Sequence, residues 1–217
     1  MVRKITGTCV PVEFMTLGMI DNNVYIIDDG AGCFVVDPSC EPDCILEALG
    51  GRKVDAIVLT HGHWDHTGAA ADLREATGAP VIASSTEAPS INGEVAPPPR
   101  SVHAAVCPVD RTVEDGDVLT IGNMDWQVML TPGHTPGSIC LFLEPTEAQP
   151  GLPILVSGDT LFAGAHGRVD FEGGSITDMQ ASLKRLAALP GDTVVLPGHN
   201  SPTTIAREGG WLKLCCL

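Results

Sequence analysis

Four times along this chain of 217 residues, an almost unbroken apolar run ends in a tight Gly or Pro turn that carries a histidine or an aspartate. The four are Val58-Leu-Thr-His61-Gly-His63-Trp64-Asp65-His66, Leu130-Thr-Pro-Gly-His134-Thr-Pro-Gly-Ser138, Leu155-Val-Ser-Gly-Asp159-Thr160 and Val195-Leu-Pro-Gly-His199-Asn200. Apolar runs without polar alternation read as strands buried on both faces. A turn at the end of such a strand exposes a side chain whose backbone the strand holds in place, which is how sheet scaffolds present functional groups. The expectation is a layered fold with strands and helices in both halves, and one site drawn from both.

The composition supports such a fold. Hydrophobic residues make up 44% of the chain and charged ones 18%, enough for a large core and too little charge for a disordered chain. Aromatic residues are only 4%, so Val, Ile, Leu and Ala must fill the interior. Twelve Lys and Arg stand against 27 Asp and Glu, a net charge of −15 that repels polyanions; nucleic acid and anionic membrane are not expected partners. No stretch approaches the length of a membrane span and no apolar leader follows Met1–Lys4, so a cytoplasmic protein is expected. The eight cysteines are scattered and read as reduced thiols, with Cys40 and Cys44 as ordinary residues rather than half of a metal site.

Strands are expected at Val12–Leu17, Val24–Asp28, Cys33–Asp37, Val54–Thr60, Val118–Ile121, Trp126–Leu130, Ile139–Leu143, Ile154–Val156 and Thr193–Leu196. Helices are expected at Glu41–Leu49, Gly68–Thr77 and Thr177–Leu189. Ala88–Pro108 carries five of the 17 prolines and reads as a surface excursion that shapes or covers the site, not as a linker between domains. His103 is read as a loop residue, His166 as a surface histidine and Trp64 as packed beneath its loop.

The chemistry concentrates in His61–His66, where three of the seven histidines and a carboxylate fall within six residues. Neutral imidazoles with a carboxylate are the ligand set of catalytic zinc sites, and ligands this dense on one loop can converge on one ion or on two. A Gly-His or Gly-Asp turn taken singly is more often structural. Beside the histidine-rich loop, His134, Asp159 and His199 become further candidate ligands. A structural zinc site stabilising a binding module would be cysteine-rich and closed, unlike this pattern.

At these residues the chain resembles the metallo-β-lactamase-fold hydrolases, and among them glyoxalase II and its shorter relatives. The resemblance rests on the HxHxDH loop at His61, His63, Asp65 and His66, on His134, on Asp159 in Ser-Gly-Asp-Thr-Leu-Phe and on His199, and so runs through most of the chain. It implies an α/β, four-layer αββα sandwich, a single domain over residues 1–217, with the site at one edge. It further implies that His61, His63 and His134 hold one metal, that Asp65, His66 and His199 hold a second, and that Asp159 bridges them, Asp65 and Asp159 being the catalytic carboxylates. Two divalent ions are implied, zinc first, with iron or manganese as alternatives. Five imidazoles and two carboxylates give a ligand charge of −2 against +4, so the centre stays cationic and acidifies bound water. Asp159 departs from the typical metallo-β-lactamases, which have Cys there, and His63 from the flavo-diiron branch, which has Glu.

The activity implied is hydrolysis of a thioester of the hydroxyacylglutathione type, a small-molecule substrate. The helical domain that carries much of the thiol-carrier surface in glyoxalase II has no counterpart in residues 200–217. Gly167-Arg168-Val-Asp170-Phe171 resembles both short glyoxalase-II-like enzymes and persulfide dioxygenases, which keep the ligand pattern but use one iron and oxygen. A dioxygenase, or a hydrolase of another ester, lactone or amide, is therefore the alternative. Arg168 and Phe171 are the candidate substrate contacts, with an internal Arg168–Asp170 or Arg168–Glu172 ion pair as the competing reading.

Overall fold

A computed structural model describes residues 1–95 and 104–215. Its first sheet has seven strands in spatial order of sequence: β1 (Arg3–Ile5), β2 (Val12–Leu17), β3 (Asn22–Asp28), β4 (Cys33–Val36), β5 (Ala56–Val58), β6 (Val81–Ser84) and β7 (Arg111–Val113). Strands β1 to β4 pair antiparallel and β4 to β7 parallel. The second sheet has β8 (Val118–Ile121), β9 (Met124–Leu130), β10 (Ile139–Leu143), β11 (Ile154–Gly158), β12 (Val194–Pro197) and β13 (Thr203–Thr204), ordered β13-β12-β11-β10-β9-β8. Each sequential parallel pair needs a crossover. Helix α1 (Pro42–Leu49) joins β4 to β5, and the short α2 (Trp64–Thr67) with α3 (Ala70–Thr77) joins β5 to β6. Helix α4 (Ala88–Ile91) follows β6, α5 (Ile176–Leu186) joins β11 to β12, and α6 (Ile205–Cys215) closes the chain.

Three apolar cores stack in this order and make four layers. Ile45, Leu49 and Leu73 of α1 and α3 pack on Ile26, Val35, Ile57 and Val81 of the first sheet. Phe14, Tyr25, Phe34 and Val36 meet Leu119, Trp126, Leu141 and Val156 between the two sheets. Met179, Leu183 and Leu186 of α5, with Ile205 and Leu212 of α6, cover Met129, Phe142 and Val195 behind the second sheet. The central strands bury both faces, as their unbroken apolar runs require.

At one edge the sheets meet backbone to backbone. Ile139 N–H donates to Thr60 C=O across 2.9 Å, and the Tyr25 hydroxyl donates to Pro197 C=O at 2.7 Å. Gly158 takes a positive φ of 47° here, and a Cβ on it would stand 2.6 Å from Thr60 Oγ1. The strand-end turns of both sheets therefore open at the same place.

Several elements depart from the expectation. The helix expected over Gly68–Thr77 is α3, but a short helix not expected, α2, precedes it and contains Asp65 and His66, so half of the histidine-rich loop is helical. The Ala88–Pro108 excursion begins as α4, with Ala88, Ile91 and Cys107 buried, so its ends belong to the core. Residues 96–103, with the three consecutive prolines and His103, lie outside the described residues, as do 216–217. Strands β1, β6, β7 and β13 and helix α6 were not expected. Arg3-Lys-Ile and Arg111-Thr-Val carry charge on sheet edges, and α6 is interrupted by Gly209-Gly210, so these offer no plain periodic signal, whereas β6 is a short buried apolar run, Val81-Ile-Ala-Ser84, that the sequence expectation omits.

Candidate metal centre

The strand-end turns place seven side chains together. His61 follows β5 and is fully buried, and His63 caps α2 at its N-terminus. His61 Nε2 lies 3.1 Å from His63 Nδ1, which lies 2.8 Å from His134 Nε2. On the other side, Asp65 Oδ2 stands 3.4 Å from His66 Nε2 and 3.2 Å from His199 Nε2. Asp159 reaches both groups: Oδ1 is 3.3 Å from His66 Nε2, and Oδ2 is 3.5 Å from His134 Nε2 and 3.6 Å from His199 Nε2. The donor atoms of His61, His63 and His134 lie within 4.8 Å of one another, as do those of Asp65, His66 and His199.

The rings are aimed by their outer nitrogens. His134 Nδ1 is 2.7 Å from Arg168 C=O and His199 Nδ1 is 3.1 Å from Ile20 C=O. With Nδ1–H donated outward, the Nε2 lone pair faces the centre. His66 Nδ1 is 2.8 Å from Asp37 Oδ2, and the same carboxylate accepts the Thr60 N–H and hydroxyl, both at 2.7 Å. Asp37, which the sequence marks only as the end of an expected strand, therefore belongs to the site, and Val35-Val-Asp37-Pro38 carries the same strand-then-turn pattern as the other four segments. Asn22, whose amide nitrogen lies 3.0 Å from His66 Nε2, carries no comparable signal.

Burial holds His61 well below the ordinary imidazole range and takes His63 down to about 4, with the neighbouring rings adding repulsion. Burial also lowers His134 against the pull of Asp159. For Asp65 and Asp159 burial acts upward; it is outweighed at Asp65 by the hydrogen bonds of His199 and His66 and the charge of His66, and at Asp159 by the charge of His66, His199 and His134, so both carboxyls stay ionised. For His66 burial acts downward and is outweighed by Asp159 and Asp37; for His199 it is outweighed by Asp65 and Asp159. Three neutral imidazoles on one side, with two carboxylates and two basic imidazoles on the other, suit hard-to-borderline divalent cations. Asp159 Oδ1 is buried and accepts no hydrogen bond, a position that a cation satisfies.

This asymmetry predicts a pH signature. His66 and His199 sit above their usual value, so in the ion-free protein near pH 6 they hold protons that a cation must displace; His61, His63 and His134 do not. Titration calorimetry with Zn²⁺ in buffers of different ionisation enthalpy should show about two protons released in one binding step and close to none in the other. Affinity in the releasing step should fall as pH falls. Equal release in both steps would contradict the assignment of charge.

Phe171 lies at the mouth, 43% exposed, its ring 5.7 Å from that of His63 and 6.1 Å from that of His134. The Arg168 guanidinium donates Nε–H and Nη2–H to Asp170 at 2.9 and 2.7 Å and stacks 4.2 Å over Phe171. The exposed turn of Met19 and Ile20 adjoins His199. His166 and Trp64 are half-buried, and neither joins the cluster.

The sequence profile described as "Metallo-beta-lactamase superfamily" matches residues 17–199. An uncharacterized protein of Aquifex aeolicus is 38% identical over 202 residues, covering 91% of this chain and 93% of the relative. The hydroxyacylglutathione hydrolase of Rhodospirillum rubrum is 36% identical over 182 residues, 82% of this chain but only 62% of that enzyme. Among solved structures, the BLEG-1 B3 metallo-beta-lactamase superposes with a TM-score of 0.78 at 31% identity, covering 93% of this chain and 99% of that one. TTHA1623 in a di-iron-bound form gives 0.73 at 34%, covering 90% and 96%.

Proposed function

The chain belongs to the metallo-beta-lactamase superfamily, whose members are mostly metal-dependent hydrolases, and from that premise we propose that it cleaves thioesters of the hydroxyacylglutathione type at a centre of two divalent metal ions. The observation that carries the reading is Asp159, one buried carboxylate standing between two complete groups of three ligands. In it His61, His63 and His134 hold one ion, Asp65, His66 and His199 the other, and Asp159 both. When bound, such a pair supplies a nucleophilic hydroxide near neutral pH and polarises the scissile carbonyl. Zinc suits the imidazole-rich donor set, while iron and manganese suit it nearly as well.

The residues of this chain then do the rest. Asp159 and Asp65, kept ionised by their histidines, accept and orient protons of the nucleophile; the carbonyls of Arg168 and Ile20 and the carboxylate of Asp37 keep the imidazoles in register. Phe171 on one side and Met19–Ile20 on the other offer apolar surface to the acyl group and the sulfur. Arg168 gives two of its five N–H donors to Asp170, so a carboxylate of a thiol carrier would meet an exposed guanidinium whose charge is already balanced. The anionic tail is therefore held weakly, and glutathione thioesters and small uncharged thioesters should differ little in KM.

The test combines metal analysis of the purified protein with a thioester panel. Two ions per chain and thioester cleavage without added cofactor support the reading. One iron with oxygen uptake and sulfite formed from glutathione persulfide would assign the chain to the dioxygenases instead. Failure on thioesters with turnover of lactones or amides would keep the hydrolase and change the substrate. Nucleic acid and membrane remain outside the proposed partners, and no helix among the described residues is long and apolar enough to cross a membrane.

A further inference from the structure

We propose that Glu87 is a positioning residue for the first metal position, a buried carboxylate that locks the turn carrying His61 and His63 to the turn carrying His134. Glu87 stands between β6 and α4 and is 7% exposed. Its Oε2 accepts the N–H of Gly62 at 2.9 Å, and its Oε1 accepts the N–H of Gly137, also at 2.9 Å. Gly62 lies between His61 and His63, while Gly137 lies three residues after His134. One side chain thus holds the backbone of both turns, the first following a strand of one sheet and the second joining two strands of the other.

The two glycines are shaped to this carboxylate. A Cβ on Gly62 would stand 2.8 Å from Glu87 Oε2, and one on Gly137 would stand 2.7 Å from both Oε1 and Cγ of Glu87. Neither glycine adopts a positive φ, so it is the approach of Glu87, joined at Gly137 by Ser84 Oγ at 2.7 Å, and not a backbone twist, that excludes a side chain there. The glycine in His-Gly-His is explained by a residue 25 positions away. The carboxylate is itself seated: the Glu87 N–H donates to Ser84 Oγ at 3.2 Å, and that hydroxyl donates to Gly137 C=O at 2.7 Å. A charged acceptor taking two backbone N–H bonds in a buried place is worth keeping only where both bonds hold.

The consequence is selective. The 2.8 Å approach of His63 Nδ1 to His134 Nε2 spans the two turns that Glu87 joins, so their relative placement sets the geometry of the first position. Asp65, His66 and His199 make no hydrogen bond to Glu87 and are aimed through Asp37 and Ile20 instead. Loss of the clamp should therefore weaken one metal position and spare the other.

This inference rests on the two-position reading of the site, and its test separates the two. Affinity for Co²⁺ is measured on the full chain by competition with a chromophoric chelator, in a His199→Ala background that reports the first position and a His134→Ala background that reports the second. Glu87→Gln keeps the size but turns one acceptor into a donor facing a backbone N–H. It should weaken Co²⁺ about 10- to 100-fold in the first background and leave the second unchanged, as expected for an outer partner of a metal ligand. Should that variant fail to fold, Gly137→Ala, which drives the carboxylate off its seat, must give the same pattern. Equal weakening in both backgrounds, or a lower melting temperature with both affinities intact, would make Glu87 merely structural and overturn the proposal while leaving the hydrolase reading in place. A wild-type chain that binds no Co²⁺ at either position would overturn both.

Discussion

Asp159→Ala should lower thioester kcat/KM by about three orders of magnitude, equivalent to about 4 kcal/mol of transition-state stabilisation, and reduce metal content from two ions per chain to one or none. The size of the effect follows from what the side chain touches. It meets both ligand groups, with Oδ1 3.3 Å from His66 and Oδ2 3.6 Å from His199 of one and 3.5 Å from His134 of the other, and Oδ1 accepts no hydrogen bond that could substitute for a cation. Without the carboxylate the two ligand groups share no anion, and two cations held side by side repel without relief. Asp159→Asn is the control for shape: it should lose nearly as much activity, because charge and not volume makes the bridge. Metal analysis and steady-state kinetics on the same preparations check both, and a fully loaded, fully active Asp159→Ala protein would remove the bridge from the account.

Gly198→Ala should cost about 100-fold in kcat with the fold intact, although it alters no ligand. Gly198 precedes His199, and a Cβ there would stand 2.4 Å from Asp159 Oδ1 and 2.5 Å from His66 Cε1. Its φ is not positive, so alanine suits the backbone and the whole penalty falls on Asp159 and His66, which must move apart. Gly210→Ala, whose Cβ would meet nothing, is the matched control and should leave activity unchanged. Circular dichroism with kinetics distinguishes the two outcomes; wild-type turnover in Gly198→Ala would mean that the ligand cage is looser than these distances require.

Much of this architecture was legible in the residues. Strands β2, β8 and β10 have the predicted bounds to the residue, because each is an apolar or alternating run closed by Gly, Asp or Pro. Helices α1 and α5 fall within two or three residues of expectation, α5 beginning after Ser175, whose hydroxyl accepts the Asp178 N–H. Elements whose stability comes from a neighbour were not legible. β7 has a single buried residue and owes its place to β6, and α6 owes its place to the burial of Ile205 and Leu212 behind the second sheet.

The same division runs through the site. His61, His63, Asp65, His66, His134, Asp159 and His199 stand out in the sequence because each donor falls in or just after a Gly- or Pro-marked turn that follows an apolar run, a local pattern that needs no knowledge of what lies across the fold. Their gathering around one carboxylate, the aiming of the His66, His199 and His134 rings by Asp37, Ile20 and Arg168, and the clamp at Glu87 were decided only by the tertiary structure. The partners in those contacts are largely backbone groups: Gly62 and Gly137 N–H lie 25 and 50 residues from Glu87, and Arg168 and Ile20 C=O lie 34 and 179 residues from the histidines they hold. Every residue but proline carries the same N–H and every residue the same C=O, so no choice of side chain marks which of them the folded sheets will bring to a histidine or a carboxylate.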